Sequence, residues 1–291
     1  IPLHKLVLAI RSSAVGEDSE AASFAGRQDT YIFVTPFATK KDPEGLDFII
    51  TNWIFNQASL FNKRAVDYRF DFGLPTFDEH VEISTLFQEM FLSGISFIGF
   101  SVDRETGFPV MTLSATEGQG EMLVSGRETG SQFFMMYDGE PLNRKRGLRS
   151  HMIVETPDGL GKIEVEIPDD VKQEFSITDK EVIRKIADYF RSLHEFYGGY
   201  VDLEGALRIK RDAQGNMITL KDENGKALLD ERGFPRYDWM IVSTQARPET
   251  VWSRRDPHKI FMKQILVTDK SFQQAQAQGK VLPFNFIAKT G

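Results

Sequence analysis

The sequence predicts an α+β domain with mostly antiparallel sheets. Three observations carry this. Between residues 81 and 136, short apolar runs (VEISTLFQEMF, ISFIGFSVD, FPVMTLSAT, SQFFMMYDG) follow one another with turn signals between them. Helical spacing of apolar residues is confined to a few stretches, chiefly residues 45–70 and a segment opening at Thr178. The link DRETGF joins two of the runs and has the composition of a hairpin turn. Strands and helices thus alternate irregularly, which favours α+β over a doubly wound parallel sheet.

In chain order, Lys5 to Ile10 reads as a buried strand that breaks at Arg11 into the small polar stretch RSSAVGEDSEAASFAGRQDT. Thr30 to Val34 reads as a second strand. Residues 45–70 place Ile49, Ile50, Trp53, Ile54, Leu60 and Phe61 at helical spacing, the pattern of one long helix. At Thr178 the order T-D-K-E is a capping box, in which the Thr178 hydroxyl and the Glu181 carboxylate satisfy each other's free amides. Val182, Ile183, Ile186, Phe190 and Leu193 follow on one helical face, and Gly198–Gly199 ends the helix. YVDLEGALRIK and DWMIVSTQAR then read as two strands, separated by a polar, Gly-rich surface excursion over residues 212–236. No repeat or low-complexity tract stands out.

The 291 residues can bury about three quarters of the unfolded chain's surface. With 41% hydrophobic, 26% charged and 24 Phe residues, intrinsic disorder is excluded. The net charge of -7 removes any general attraction to nucleic acid or anionic lipid, so a bound phosphate needs a local basic cluster. The chain has 0 Cys, which removes thiol nucleophiles, disulfides and Cys-ligated metals. No apolar run reaches membrane-spanning length, since residues 91–102 are interrupted by Ser93, Ser96 and Ser101. The expected setting is cytoplasmic, and the missing initiator Met together with the ending FIAKTG is what a piece of a longer polypeptide shows.

Four segments can carry chemistry. Arg11 at a strand end can grip phosphate bidentately, and SFAG lets backbone amides approach an anion, although many plain surface turns look the same. Asp202 and Glu204 are two apart on a strand and share a face, as a hard cation requires and as two solvated acids on an edge strand also would. Gln245 and Arg247 in STQARPETVWS are co-facial by the same rule; beside the Asp202 strand they complete a magnesium and triphosphate site. EGQGEMLVSG sets Gly118, Gly120 and Gly126 around Glu121 but lacks the order and the Lys of a P-loop. The histidines (His4, His80, His151, His194, His258) are scattered, with none at metal-ligand spacing.

Taken together, LAIRSSAVGEDSEAASFAGRQDT, LFQEMF, SFIGFSVDRETGF, GQGEMLVSG, DLEG and QARPETV resemble, in order, the motifs of the nucleotide-binding domain of the phosphoenolpyruvate synthase and pyruvate phosphate dikinase family. That resemblance implies an ATP-grasp fold over residues 1–253, its N-terminal part missing, and a linker over 254–291 towards an absent phosphohistidine domain. It implies that Arg11 contacts phosphates and that the amides around Gly26, Gln28 and Thr30 cover them. Gln88, Glu89, Met90 and Phe91 would form the hinge strand that reads adenine, with Glu121 near the adenosine. Glu204 and Gln245 would hold Mg2+, with Asp202 close by, and Arg247 would stabilise the transferred phosphate.

The implied activity is that of a pyruvate, water dikinase: ATP phosphorylates a histidine on a swivelling domain of the same polypeptide, which passes phosphate to pyruvate. The fragment alone, without those parts, would be inactive. A rifamycin or glucan acceptor, or a non-catalytic nucleotide-binding module, are the competing expectations. The sequence departs from the family pattern at Arg27 (Gln), Asp29 (Glu), Phe97 (Gly), Gln119 (Leu) and Gly205 (Trp), and its 212–236 excursion is longer than expected.

Overall fold

The computed structural model describes residues 6–14, 29–36, 46–71, 73–77, 81–157, 161–230, 233–249 and 252. Gly26, Gln28, Arg27 and the expected 254–291 linker lie outside them. The fold is α+β, with every ladder between neighbouring strands of the two larger sheets antiparallel. The chain divides into two compact units: Ile1–Leu92 with Val154–Ile163, and the remainder.

In the first unit, β1 (Leu8–Ala14) lies between β2 (Tyr31–Val34) and β3 (Ile83–Glu89). Leu8, Ile10 and Val34 form its core, with Tyr31, Phe48 and Ile49 packed against them. The strand does not break at Arg11 as expected. Arg11 to Ala14 stay in the ladder because β3 offers a partner at every position, from Arg11↔Leu86 to Ala14↔Ile83. The single long helix expected over residues 45–70 is also corrected: α1 (Asp47–Ala58) passes through a 3-10 turn (Ser59–Phe61) into α2 (Lys63–Asp71). The break is at Asn62, which is extended (ψ 155°) and whose Oδ1 accepts from the Ala65 amide at 2.8 Å. Ser59 likewise turns its hydroxyl onto the Asn56 carbonyl; such side chains compete with the helical ladder. Fully buried Asn56 donates to the Asp29 carbonyl at 2.8 Å and accepts from the Thr85 hydroxyl, fixing the entry to β2 beside Thr30.

The second unit is built on a six-stranded sheet. Its members are β4 (Ile95–Phe100), β5 (Met111–Glu117), β6 (Ser131–Met135), β7 (Pro141–Arg146), β10 (Val201–Ile209) and β11 (Trp239–Pro248), in the order β11-β10-β4-β5-β6-β7. DRETGF is the β4–β5 hairpin, closed by Asp103 N–H to the Phe108 carbonyl at 2.9 Å. The short helices α3 (Glu121–Val124) and α4 (Asp169–Lys172) and the ladder of β8 (His151–Glu155) with β9 (Lys162–Glu166) lie between β5 and the long helix α5 (Lys180–Tyr197). α5 covers one face of the sheet, burying Val182, Ile183, Ile186, Ala187 and Phe190 against Leu113, Phe133, Leu203 and Leu207. Its cap sits one residue later than expected. Asp179, not Thr178, takes the N-cap and accepts from the Glu181 amide at 2.9 Å, while the Glu181 carboxylate pairs with Arg184. The carboxylate is favoured there because Arg236 binds it through Nε and Nη2 at 3.0 and 3.2 Å.

Arg236 comes from the excursion between β10 and β11, which contains a repeat that the sequence reading missed. Asp212, Asp222 and Asp230 each open a D-x-x-G turn in which Gly215, Gly225 and Gly233 adopt φ of 86°, 78° and 86°. In each turn the glycine N–H donates back to the Asp carbonyl at 3.0 Å, so three tight hairpins follow one another.

Two departures from the family pattern turn out to be one. Phe97 and Gly205 are direct cross-strand partners in the β4–β10 ladder. The Phe97 ring, 2% exposed, fills the space over Gly205, where an added Cβ would come within 2.2 Å of it. The large side chain expected on β10 is therefore supplied from β4, in the core and away from the polar pairs. Phe97→Gly is expected to cost about 4 kcal/mol as a buried cavity, and Gly205→Trp to destabilise by overpacking. Denaturant unfolding of the double variant should recover at least half of the summed loss; strict additivity would show that the two positions are independent.

Candidate functional site

β10 and β11 pair antiparallel with Asp202↔Arg247 and Glu204↔Gln245 directly opposite. On β10, Val201, Leu203 and Leu207 face the α5-covered core, so Asp202 and Glu204 face the other side of the sheet. β11 is less simple. Trp239 and Ile241 pack against the core, and so does Ala246, an even-numbered position. The change of parity is a β-bulge: Gly205 pairs with Ser243 and Glu204 with Gln245, so Thr244 is the extra residue on β11. Were Thr244 instead paired in regular alternation, Gln245 and Arg247 would continue the Trp239–Ile241 face and point into the core. The bulge thus turns an amide and a guanidinium onto the face that carries the two acids.

The Arg247 guanidinium is held by Asp202, with Nε and Nη2 at 2.8 and 2.7 Å from Oδ2. Both side chains are mostly sheltered, at 22% and 14% exposure, so the pair is better protected than a surface ion pair. Asp202 is therefore engaged with Arg247, while Glu204 and Gln245 form the adjoining cross-strand pair. The neighbouring strand β4 opposes Asp202 with Phe100 and Glu204 with Ile98, giving the acids an apolar flank. Arg104 lies over the Phe100 ring at 4.6 Å. Among the described residues no group of three or more His, Cys, Asp or Glu side chains gathers at metal-binding distance.

Glu121 opens α3, exposed, after Gly120. Gln119, another departure from the family pattern, is buried and its amide donates to the Ile153 carbonyl at 2.9 Å. In the first unit, Arg11 lies on β1 and reaches the Gln88 side-chain oxygen on β3 at 3.4 Å. β3 ends at Glu89, and the Met90 amide continues its contact with β1 by donating to the Val7 carbonyl at 2.8 Å. The boundary between the two units follows Leu92, immediately beyond Gln88, Glu89, Met90 and Phe91. Thr30 stands exposed before β2, and Asp29 pairs with Arg64 at 2.6 Å.

Thr244 is the residue sequence reasoning passed over. Its signal is in the string WMIVSTQAR, where apolar side chains occupy odd positions at Trp239 and Ile241 and polar ones occupy them at Gln245 and Arg247. Deleting Thr244 removes the extra residue, so Gln245 should follow Ser243 in regular alternation and the Gln245–Arg247 arm should stay on the polar face opposite Glu204 and Asp202. In that deletion background Asp202→Asn should cost about as much stability as it does in the unaltered chain. Loss of the Asp202 effect in a folded deletion variant, read from denaturant midpoints, would show that Thr244 is not the residue the bulge absorbs.

Residues 3–265 match the protein family described as the pyruvate phosphate dikinase AMP/ATP-binding domain. The chain is 29% identical to a phosphoenolpyruvate synthase of Neisseria meningitidis, over 94% of its own length and 32% of the relative's. It is 31% identical to a phosphoenolpyruvate synthase of Aquifex aeolicus, over 87% of the chain and 27% of the relative. It is also 33% identical to a rifampicin phosphotransferase of Bacillus subtilis, over 68% of the chain and 22% of the relative. The chain thus spans about a third or less of the length of these relatives.

Proposed function

Because the chain belongs to the pyruvate phosphate dikinase AMP/ATP-binding domain family, we propose that it binds ATP with Mg2+ and phosphorylates a histidine on a separate swivelling domain of a longer cytoplasmic polypeptide. In this reading the histidine passes its phosphate to pyruvate, as in a pyruvate, water dikinase. The observation that carries the proposal is the pair of cross-strand partners Asp202↔Arg247 and Glu204↔Gln245 on one sheet face.

The donor set fits a magnesium ion. Glu204 offers a carboxylate and Gln245 an amide oxygen from opposed positions, and Mg2+ takes only one or two protein carboxylates, leaving water and phosphates to fill the octahedron. When bound, the ion would neutralise phosphate charge and orient the nucleotide. Asp202 plays a different part: it holds the Arg247 guanidinium in place, aimed where charge develops on the transferred phosphoryl group. Arg11, with the Gly26, Gln28 and Thr30 segment, would hold the phosphates. Gln88 to Phe91 would read adenine through the backbone, and Glu121 would lie by the adenosine. Residues 254–291 would lead towards the histidine domain.

The likeness to a rifampicin phosphotransferase supports a second reading in which the acceptor is a rifamycin. The two readings share the nucleotide site and differ in a domain beyond this chain.

Calorimetry of the chain with a non-hydrolysable ATP analogue should give magnesium-dependent binding. Glu204→Gln should raise the magnesium concentration for half-maximal binding about 10-fold or more, and Asp202→Asn less. A larger effect of Asp202→Asn would make Asp202 the direct ligand. In the full-length polypeptide, Arg247→Ala should slow histidine phosphorylation on the order of 1000-fold while weakening ATP binding far less. Equal losses in both would make Arg247 a ground-state anchor.

A further inference from the structure

The arm of β11 that carries Gln245 and Arg247 is poorly secured by its own strand. β11 is the edge of the six-stranded sheet, so β10 is its sole neighbour there. The bulge at Thr244 separates the arm from the rest of the strand, and the pairs Glu204↔Gln245 to Val201↔Pro248 hold it together with Ala246, which packs on the core and whose carbonyl accepts from the Tyr197 hydroxyl at 3.2 Å. Pro248 brings no amide N–H to that ladder. A short, bulged edge segment of this kind frays readily unless something beyond it is anchored.

An anchor lies four residues past the strand. Trp252 is 2% exposed and packs with Val102 and Tyr200. Its Nε1–H donates to the Arg104 carbonyl in the β4–β5 turn at 2.8 Å. Its ring occupies the space left by Gly107, where an added Cβ would come within 2.6 Å of two ring carbons. The residue that follows the strand is also fixed. Glu249, 3% exposed, donates its amide to the Tyr200 carbonyl at 2.7 Å, and its carboxylate accepts from the Trp252 amide at 2.9 Å. Burial, with the Glu249 carboxylate nearby, pushes the Tyr200 hydroxyl up to about 12. The knot ties together the β4–β5 turn, the residue before β10 and the exit of β11. It lies two residues from Asp202 through Tyr200, and two from Arg247 through Glu249.

We infer that Trp252 is a positioning residue: seated on Gly107 and linked through Glu249, it holds the Gln245–Pro248 arm in register, and so keeps Arg247 on Asp202 and Gln245 opposite Glu204. Its consequence for nucleotide binding rests on the function proposed above, but its consequence for the Asp202–Arg247 pair needs no ligand. Misplacing a group of this kind by about 1 Å is enough to cost on the order of 100-fold in a transfer rate.

The ligand-free test is a double-mutant cycle on Asp202→Asn and Arg247→Gln, read from denaturant midpoints in three backgrounds: unchanged, Trp252→Phe and Trp252→Ala. The coupling should fall by at least about half in Trp252→Ala and by a smaller amount in Trp252→Phe, which keeps an aromatic ring at the position. Coupling of full size in a folded Trp252→Ala variant overturns the inference. Should Trp252→Ala fail to fold, amide exchange in Trp252→Phe decides, because that variant keeps an aromatic side chain while losing the Nε1–H to Arg104 bond and the outer ring over Gly107. Ala246 and Arg247 amides should exchange about 10-fold faster while those of β5 and β6 do not change. Unchanged exchange along the arm, or uniform acceleration across the sheet, overturns the inference. With the ATP analogue, Trp252→Phe should raise the magnesium midpoint about threefold at unchanged melting temperature. Absence of nucleotide binding by the unaltered chain would count against the proposed function, and the coupling and exchange results would still decide the role of Trp252.

Discussion

β11 carries one residue more than the stretch of β10 it pairs with, and the arrangement of the polar face depends on a bulge absorbing that excess. A strand alternates faces strictly, so any set of polar groups brought to one side must share parity with their neighbours or break it. Here the break is Thr244: Trp239 and Ile241 serve the core on one side of it, and Gln245 and Arg247 serve the opposite face on the other. A bulge leaves one residue unpaired and weakens the local ladder. The gain is that an amide oxygen and a guanidinium stand opposite two carboxylates without either strand giving up its buried side chains.

The rest of the second unit makes that arrangement stiff. α5 buries a continuous apolar stripe against the sheet, so Leu203 and Leu207 cannot rotate outward without opening the core. The Phe97–Gly205 partnership fills the layer beside the bulge with a ring, although the residue sizes are reversed between β4 and β10 relative to the family pattern. Because that exchange is confined to the core face, it does not alter the side chains facing Asp202 and Glu204. Beyond the strand ends, the knot at Trp252 holds the exit of β11 against the β4–β5 turn.

The sequence carried what is local and periodic. The runs that became β4, β5 and β6, the DRETGF turn and the apolar stripe of α5 all follow from spacing of two or of 3.6 residues. Asp202 with Glu204, and Gln245 with Arg247, were legible as co-facial pairs by the same rule. What was not legible depends on partners distant in sequence. Arg11 to Ala14 looked like a loop because their β3 partners lie about seventy residues away. Asp179 displaced Thr178 as the helix cap because Arg236 reaches it from the excursion. That excursion hid three like turns because each repeats only an Asp and a Gly, at unequal spacing. The long helix of residues 45–70 failed at Asn62, where a side chain caps a new helix instead of continuing the old one. The motif resemblance supplied roles for Arg11, Glu121 and the hinge residues that spacing alone could not assign.

The most direct test of this account is a crystal structure of the chain grown with Mn2+ in place of magnesium and a non-hydrolysable ATP analogue, read by anomalous scattering. The predicted result is a single metal peak in contact with the Glu204 carboxylate and the Gln245 side-chain oxygen, with Arg247 directed at the phosphates and Thr244 as the extra residue of the β10–β11 bulge. A metal bound elsewhere, or a regular ladder that turns Gln245 towards the α5 core, would contradict it.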